Sequence, residues 1–464
     1  MNIEKIRDDF PILKRTFRVF GANEEVAPIY FDHAASTHPP IPVLETHGNF
    51  MRNHYANIHR GMHYLSQEAS IVFDEVPEII AKFIGGCTDG SCVVMCSNTT
   101  DALDLAAFIE KDTPGSTLST VMEHHSNDLV HRKYGPVLHA NLTADGALDL
   151  EDVEKKLENN KVKLLAVTGA SNVTGYMPSI HKLARLAHDH NARILVDAAQ
   201  LFAHHPIDVF PLDHPEHIDY LAAPGHKSYA PFGSSFLYGP QEKLDQVNPR
   251  IPGGGTVRYV TTEDVLWVES PDRHQGGTPN IGGAVAFASA VLYLQEIGME
   301  KIREHEKALF ERLFHKLKNI PKVRTYGPSK IDDKIGVVPF NIEGYHHTEV
   351  ALMLNWERAI ACRNGCFCAH PYLHHLLSVK GLDELKRKIR DGESPSLPGA
   401  IRASLGMYNT EEEIDIFIET ITNIVEGKVK GDYSNPDALN YQINFFKIGE
   451  SKKVPFTESD IESP

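Results

Sequence analysis

Cysteine is scarce in this 464-residue chain: Cys87, Cys92, Cys96, Cys362, Cys366 and Cys368 are all there is. So few in so long a chain exclude the disulfide framework of a small secreted domain. Positive charge is also short, with 46 Lys and Arg against 62 Asp and Glu, a formal net charge of −16. No Lys/Arg cluster offsets that excess, which argues against nucleic acid or an anionic membrane as a partner. Long hydrophobic runs are missing too. The longest, AVAFASAVLYL at 284–294, is well short of the roughly 20 residues a membrane-spanning helix needs. The N-terminus MNIEKIRDDF has no apolar signal core. A soluble protein of the reducing cytoplasm is the expectation. Internal repeats and low-complexity tracts are absent.

What is present is a long alternation of strand-like and helix-like segments. Short apolar or β-branched runs recur as CVVMCS (92–97), STLSTVM (116–122), KLLAVTGAS (163–171), ARILVDAA (192–199), YLAAPG (220–225) and SSFLYG (234–239). Helical patterns such as TDALDLAAFIEK and SIHKLARLAHDHN separate them. That order predicts an α/β fold with a mainly parallel sheet and helices on both faces, and such sheets bind ligands at the carboxyl ends of their strands. Beyond residue 298 the texture changes to a charged helix, the strand IGVVPFNI and two further helices. This predicts a smaller α+β domain. The stretch from about 430 is polar and without periodicity, and reads as a surface tail.

Four polar features fall where a ligand of the larger domain is expected. Asp197 closes the strand ARILVD, either as the cap of the next helix or as counter-ion to a buried positive nitrogen. Lys227, in the turn GHKSYAPFG, is a solvated loop lysine or, in a low-dielectric pocket, a Schiff-base former. SNTTDALDLAAF runs from a strand end through Thr99 and Thr100 into a helix, and its free N–H groups and hydroxyls suit plain capping or an anion such as phosphate. MEHHSND contributes His124, which alone carries little weight among 26 histidines.

Taken in order, these strings resemble the fold-type I, class V family of pyridoxal-phosphate enzymes, and within it the cysteine desulfurases of the SufS and selenocysteine lyase branch. The resemblance runs from DFPIL through IYFDHAAST, ANIHRGMHYLSQEAS, SNTTDAL, MEHHSN, SNVTG, VDAAQ, HHPIDV, GHKSYAPFG, GGG (253–255), GGTPNIGG and RASLGMYNT, nearly everything up to about residue 430. It implies a large cofactor-binding domain over 29–295 with a mainly parallel seven-stranded sheet, a smaller α+β domain from 1–28 and 296–429, and a C-terminal tail over 430–464. It implies pyridoxal 5'-phosphate held through Lys227, with Asp197 on the ring nitrogen, Gln200 on the phenolic oxygen, and His124 stacked on the ring and moving protons. Thr99, Thr100 and His226 would hold the phosphate, completed by Thr278 of a partner subunit, which makes the protein a homodimer. Asn172 would sit near the phenolic oxygen and the substrate, and Arg402 would clamp the substrate carboxylate. In RNGCFCAHPYL the family spacing puts Cys368 at the position of the sulfur-attacking thiolate.

The implied activity is conversion of L-cysteine to alanine with an enzyme persulfide, handed to an acceptor protein, with selenocysteine as a further substrate. The alternatives are a class V aminotransferase or C–S lyase that makes no persulfide, and a sulfur donor like the molybdenum cofactor sulfurases, which GCFC and the charged insert between Cys368 and Arg402 also resemble. Pro224 departs from the pattern, standing where the branch has a phosphate-binding serine. Metal binding is a rival use of Cys366, Cys368, His370, His374 and His375, but their spacing matches no standard site. No metal is expected.

Overall fold

The computed structural model describes residues 1–87 and 89–433. Seven strands form its central sheet: β1 (Ser91–Cys96), β2 (Ser116–Thr120), β3 (Val137–Ala140), β4 (Val162–Thr168), β5 (Arg193–Asp197), β6 (Tyr220–Pro224) and β7 (Ser235–Pro240). In space they run β1-β7-β6-β5-β4-β2-β3, and all are parallel except β7, which is antiparallel to both neighbours. The mainly parallel α/β sheet expected from the sequence is therefore the observed one.

Alternate residues of these strands enter two different cores, as the two-residue strand period requires. Val93, Leu165, Val167, Ile194, Val196, Leu221 and Phe236 face helices Tyr64–Phe83, Ile180–Asp189 and Ile281–Ile297. Val94, Leu164, Ala166, Leu195, Tyr220 and Leu237 face helix Thr99–Ile109. With both faces covered, β4 is buried at every position, which is why VKLLAVT reads as an unbroken run and not as an alternation. The apolar stretch 284–294 lies in the core helix Ile281–Ile297, where Phe287, Ala290, Val291 and Leu294 are wholly buried. Among the described residues no single helix is long and apolar enough to cross a membrane.

A second sheet contains β8 (Val323–Thr325), β9 (Val337–Ile342), β10 (Arg363–Gly365) and β11 (Ala400–Ser404) in the order β8-β9-β11-β10, antiparallel throughout. Helices Met299–Lys318, His347–Arg358 and Glu411–Val425 pack on it through a separate core that includes Phe310, Phe314, Leu354, Phe417 and Ile421. Strand Ile29–Tyr30 pairs with Ile360–Ala361, and the next residues carry Asp32 into a bridge with Ser404. This bridge brings the N-terminal segment alongside β11, at the junction of the two sheets.

The first residues of the polar stretch are anchored. The N–H groups of Lys430 and Gly431 and the hydroxyl of Tyr433 all donate to Glu357 Oε1, at 2.9, 2.9 and 2.8 Å. The remainder of the expected tail, 434–464, lies outside the described residues.

Candidate active site

A cavity of about 360 Å³ opens at the carboxyl ends of the parallel strands, between the two sheets. It gathers Thr99, Thr100, His124, Asn172, Asp197, Gln200, His226, Lys227, Cys368 and Arg402, ten of the eleven residues singled out in the sequence. The eleventh, Thr278, lines a different cavity with Gly276 and Asn280.

Strand ends place the central groups. Asp197 is the last residue of β5 and is buried, its Oδ1 accepting the Ala199 N–H at 3.0 Å. Burial raises its carboxyl pKa, opposed by that bond and by Lys227. Lys227 ends the one-turn helix Gly225–Lys227 directly after β6. Loss of surrounding water lowers its ammonium pKa to about 8, although Asp197 pulls it upward. An amine that sheds its proton near neutral pH is a competent nucleophile, and a carboxylate beside it is the natural counter-charge.

The rim beside β1 and β2 supplies polar donors. Thr99 is the first residue of an 11-residue helix capped by Asn98, and its Oγ1 is buried with no hydrogen-bond partner. Thr100 Oγ1 and Ser126 Oγ lie 2.7 Å apart. His226 is held well below the usual imidazole range, at about 4, by burial and by Lys227. His124 is lowered further, to about 3, by burial, Lys227, His125 and Arg402, and its Nδ1 accepts the Ser126 N–H at 3.1 Å. A neutral ring with its Nδ1 lone pair in use must carry its proton on Nε2.

The opposite wall comes from the second sheet. Arg402, in the middle of β11 and buried, donates through Nη1 to Asn172 O at 2.8 Å and through Nη2 to Asp32 Oδ1 at 3.3 Å. Its Nε is buried without a partner, and its guanidinium lies 4.9 Å from the Phe367 ring centroid. Asp32 is shared with Arg363, whose Nη2 is 2.7 Å from Oδ2. Gln200 donates through Nε2 to Ala34 O at 2.7 Å.

Cys368 sits on the loop between β10 and helix His370–Leu376, with its side chain exposed and the cavity in front of it. Phe367 and Cys368 both have positive φ, 53° and 55°. Non-glycine residues pay about 1 kcal/mol or more each for that conformation, so other bonds must hold it. Asn172 Nδ2 donates to Phe367 O at 2.6 Å, and the His125 N–H donates to Cys368 O at 2.8 Å. Cys366 points elsewhere, its Sγ donating to Pro398 O at 2.8 Å.

The rival metal set does not converge: besides Cys366, His370 pairs with His125, and His375 Nε2 contacts Thr143 O at 3.1 Å. Among the described residues the donors that do converge are His188, His217 and Asp219, none of which lines this cavity.

Four contributors escaped the sequence reading: Asp32, Ser126, Arg363 and Glu123. Glu123 is buried behind His124, its pKa raised to about 8 by burial even though Thr120 Oγ1 (2.6 Å) and Asn127 Nδ2 (2.7 Å) donate to it. Ser126 and Glu123 flank His124 in MEHHSN and were within reach of that motif. Asp32 and Arg363 are tied to the site by contacts across hundreds of positions, which no local pattern reveals.

Comparison with known proteins agrees with this geometry. Residues 29–417 match the family described as aminotransferase class-V. The chain is 34% identical to a cysteine desulfurase of Haloferax volcanii, covering 91% of this chain and 96% of that protein. It is 36% identical to a probable cysteine desulfurase of Synechocystis sp., covering 90% and 94%. Among solved structures it is similar to the apo cysteine desulfurase of Thermococcus onnurineus NA1, with a TM-score of 0.79, 32% identity, and 91% and 98% of the two chains covered.

Proposed function

The chain belongs to the aminotransferase class-V family, and from that premise we propose that it is a pyridoxal-phosphate L-cysteine desulfurase that takes the substrate's sulfur onto Cys368. The observation that carries this reading is the placement of an exposed thiol over the cavity that holds Lys227, Asp197 and Arg402.

The residues present fit the cofactor. Thr99 Oγ1 is an unpaired buried hydroxyl at a helix N-terminus, suited to a phosphate oxygen, with Thr100 and His226 beside it. Pro224 offers no hydroxyl, and Ser126, 2.7 Å from Thr100, is the one at hand. Lys227 is an amine already poised to lose its proton, and Asp197 a buried carboxylate able to keep a ring nitrogen protonated. Gln200 would bond the phenolic oxygen, and His124 would cover the ring. When bound, pyridoxal phosphate supplies an electron sink for the pair left at the substrate α-carbon.

The chain's own residues do the rest. Arg402 keeps an unpaired Nε for the substrate carboxylate, with its two Nη groups fixed by Asn172 and Asp32. Lys227 is the base near the reacting carbons, and the neutral His124 presents its Nε2–H there as a donor. The Cys368 thiolate attacks the substrate sulfur: one C–S bond breaks, one S–S bond forms, and cysteine plus thiol become alanine plus persulfide with no external oxidant.

Thr278 lies outside this cavity and would complete the site of a second copy in a homodimer. Met62 (88% exposed), Tyr64 and Ile71 are apolar surface suited to being covered by that copy. The persulfide would pass to an acceptor protein, and helix Leu382–Arg390, which has no buried residue, is free to meet one. Residues 29–295 would form the cofactor-binding domain and 1–28 with 296–429 the domain carrying the loop, in a cytoplasmic enzyme.

Incubation of the holoenzyme with L-cysteine, with alanine and protein persulfide quantified, tests the proposal. Alanine and persulfide in equal amounts are expected. Pyruvate with ammonia and sulfide would make it a C–S lyase, and exchange between glutamate and a 2-oxo acid an aminotransferase.

A further inference from the structure

The Cys368 loop is bracketed by one residue of the opposite wall. His125 begins the one-turn helix His125–Asn127 after β2, and its N–H donates to Cys368 O at 2.8 Å. Its ring reaches two residues further along the loop, where Nε2 accepts the His370 N–H at 3.3 Å and lies 3.0 Å from His370 Nδ1. The two ring planes are 10° apart. Cys368, with its positive φ, is thus held by His125 at its own carbonyl and again two residues on, at His370.

The proton positions follow from the partners. A backbone N–H only donates, so His125 Nε2 must present a lone pair, and His370 Nδ1 must be the protonated nitrogen of its ring. The ring half of this bracket therefore exists only while His125 is neutral, whereas the backbone bond to Cys368 O does not depend on that proton. Protonating Nε2 removes the acceptor and sets a cation against a backbone N–H. We propose that His125 and His370 form a proton-sensitive latch that positions the Cys368 loop, opening in acid and closing near neutrality. The inference rests on the reading of Cys368 as the sulfur acceptor.

The surroundings hold the latch closed over most of the useful range. Facing His125 are His370 and, behind it, His374 from helix His370–Leu376, Asp128 and His124 from its own segment, and Arg132 from helix Leu129–Arg132. On the cavity side His124 stands between His125 and the cations Lys227 and Arg402, which act on the His124 ring. Asp128, the carboxylate in this group, is already engaged by Arg132 and by His139 at 2.8 Å, and the Cys368 thiol lies on the loop that His125 holds. Burial and His370 accordingly push His125 below the ordinary imidazole value. The sign is that of a base depressed on folding: the latch is intact above that pKa and lost as pH falls through it.

Two measurements on the holoenzyme test this. Hydrogen–deuterium exchange of the 363–373 peptide should be faster in His125→Ala than in wild type at neutral pH. In wild type it should rise relative to the intrinsic rate as pH falls below the ordinary imidazole range. Steady-state alanine formation should fall about tenfold in kcat for His125→Ala with KM little changed, the loss of one well-placed hydrogen bond. His125→Gln, whose amide oxygen accepts the His370 N–H but takes no proton, should recover part of the rate and lack the acidic fall. Unchanged exchange in His125→Ala, or an acidic fall retained in both variants, overturns the latch. So does faster exchange with an unaltered rate. If wild type forms no alanine while exchange still opens with His125, the desulfurase reading fails and the latch remains.

Discussion

Arg402 donates through Nη1 to the carbonyl oxygen of Asn172 at 2.8 Å, tying β11 to the turn after β4 across the mouth of the cavity. With Nη2 on Asp32, the guanidinium is fixed before any ligand arrives. Arg402→Ala should therefore raise KM for every amino acid tried by roughly 30- to 100-fold, the worth of a charged, pre-set donor. The fold should survive, because Asp32 keeps Arg363 at 2.7 Å. Arg402→Lys should also be damaging, since an ammonium cannot bridge both partners and still present a third donor. Steady-state kinetics with several substrates measure this; an unchanged KM moves the carboxylate site elsewhere.

Lys227 is the one lysine lining the cavity among the described residues. Borohydride reduction followed by peptide mapping should place a pyridoxyl label on it, and Lys227→Ala should bind cofactor without covalent attachment. A label on any other lysine would overturn the geometry assigned above.

Asp197→Asn should leave a folded protein that still binds cofactor and turns over at least about a hundredfold more slowly, because an amide cannot hold a ring nitrogen protonated. The bond its side chain accepts from the Ala199 N–H is retained by the asparagine oxygen. Activity within a few-fold of wild type would reduce Asp197 to a turn-forming residue.

Glu123 gives a pH signature separate from catalysis. Its folded pKa is raised to about 8, so between the ordinary carboxyl value and about 8 the folded state holds a proton that the unfolded state has lost. Its contribution is thus full in acid and declines as pH rises through that window. Glu123→Gln should remove this component, leaving a melting temperature that falls less between pH 5 and about 8 than in wild type. Parallel curves for the two proteins would show that Glu123 is charged in the folded state.

The sequence displayed what is local and periodic. Asp197 and Lys227 were legible because each follows an apolar strand within a few residues, and the positions of β5 and β6 in the sheet then brought them together. Strand β3 was not legible: VLHA is four residues long, at the sheet edge and largely half-buried, so it has neither an apolar run nor a clear alternation. The Asp32–Arg402 and Asn172–Phe367 contacts join residues 370 and 195 positions apart, and only the fold reveals them. The helix Leu382–Arg390 buries nothing, so its sequence reads as charge alone.

The two loop cysteines separate the desulfurase from its rivals. Cys368 is exposed over the cavity, whereas Cys366 is half-buried, bonded to Pro398 O, and raised in pKa by burial and by Cys368. Cys368→Ala should still show the spectral change on adding cysteine, because binding depends on Lys227 and Arg402, yet yield neither alanine nor persulfide, because transfer depends on the thiol. Cys366→Ala should keep most alanine formation, since a thiol with a raised pKa and an engaged hydrogen is a poor nucleophile. Selenocysteine turnover should partly survive the loss of Cys368, as selenium departs more readily than sulfur. Alanine released from cysteine by Cys368→Ala at the wild-type rate would remove this loop thiol from the mechanism, and pyruvate from the same variant would favour the C–S lyase.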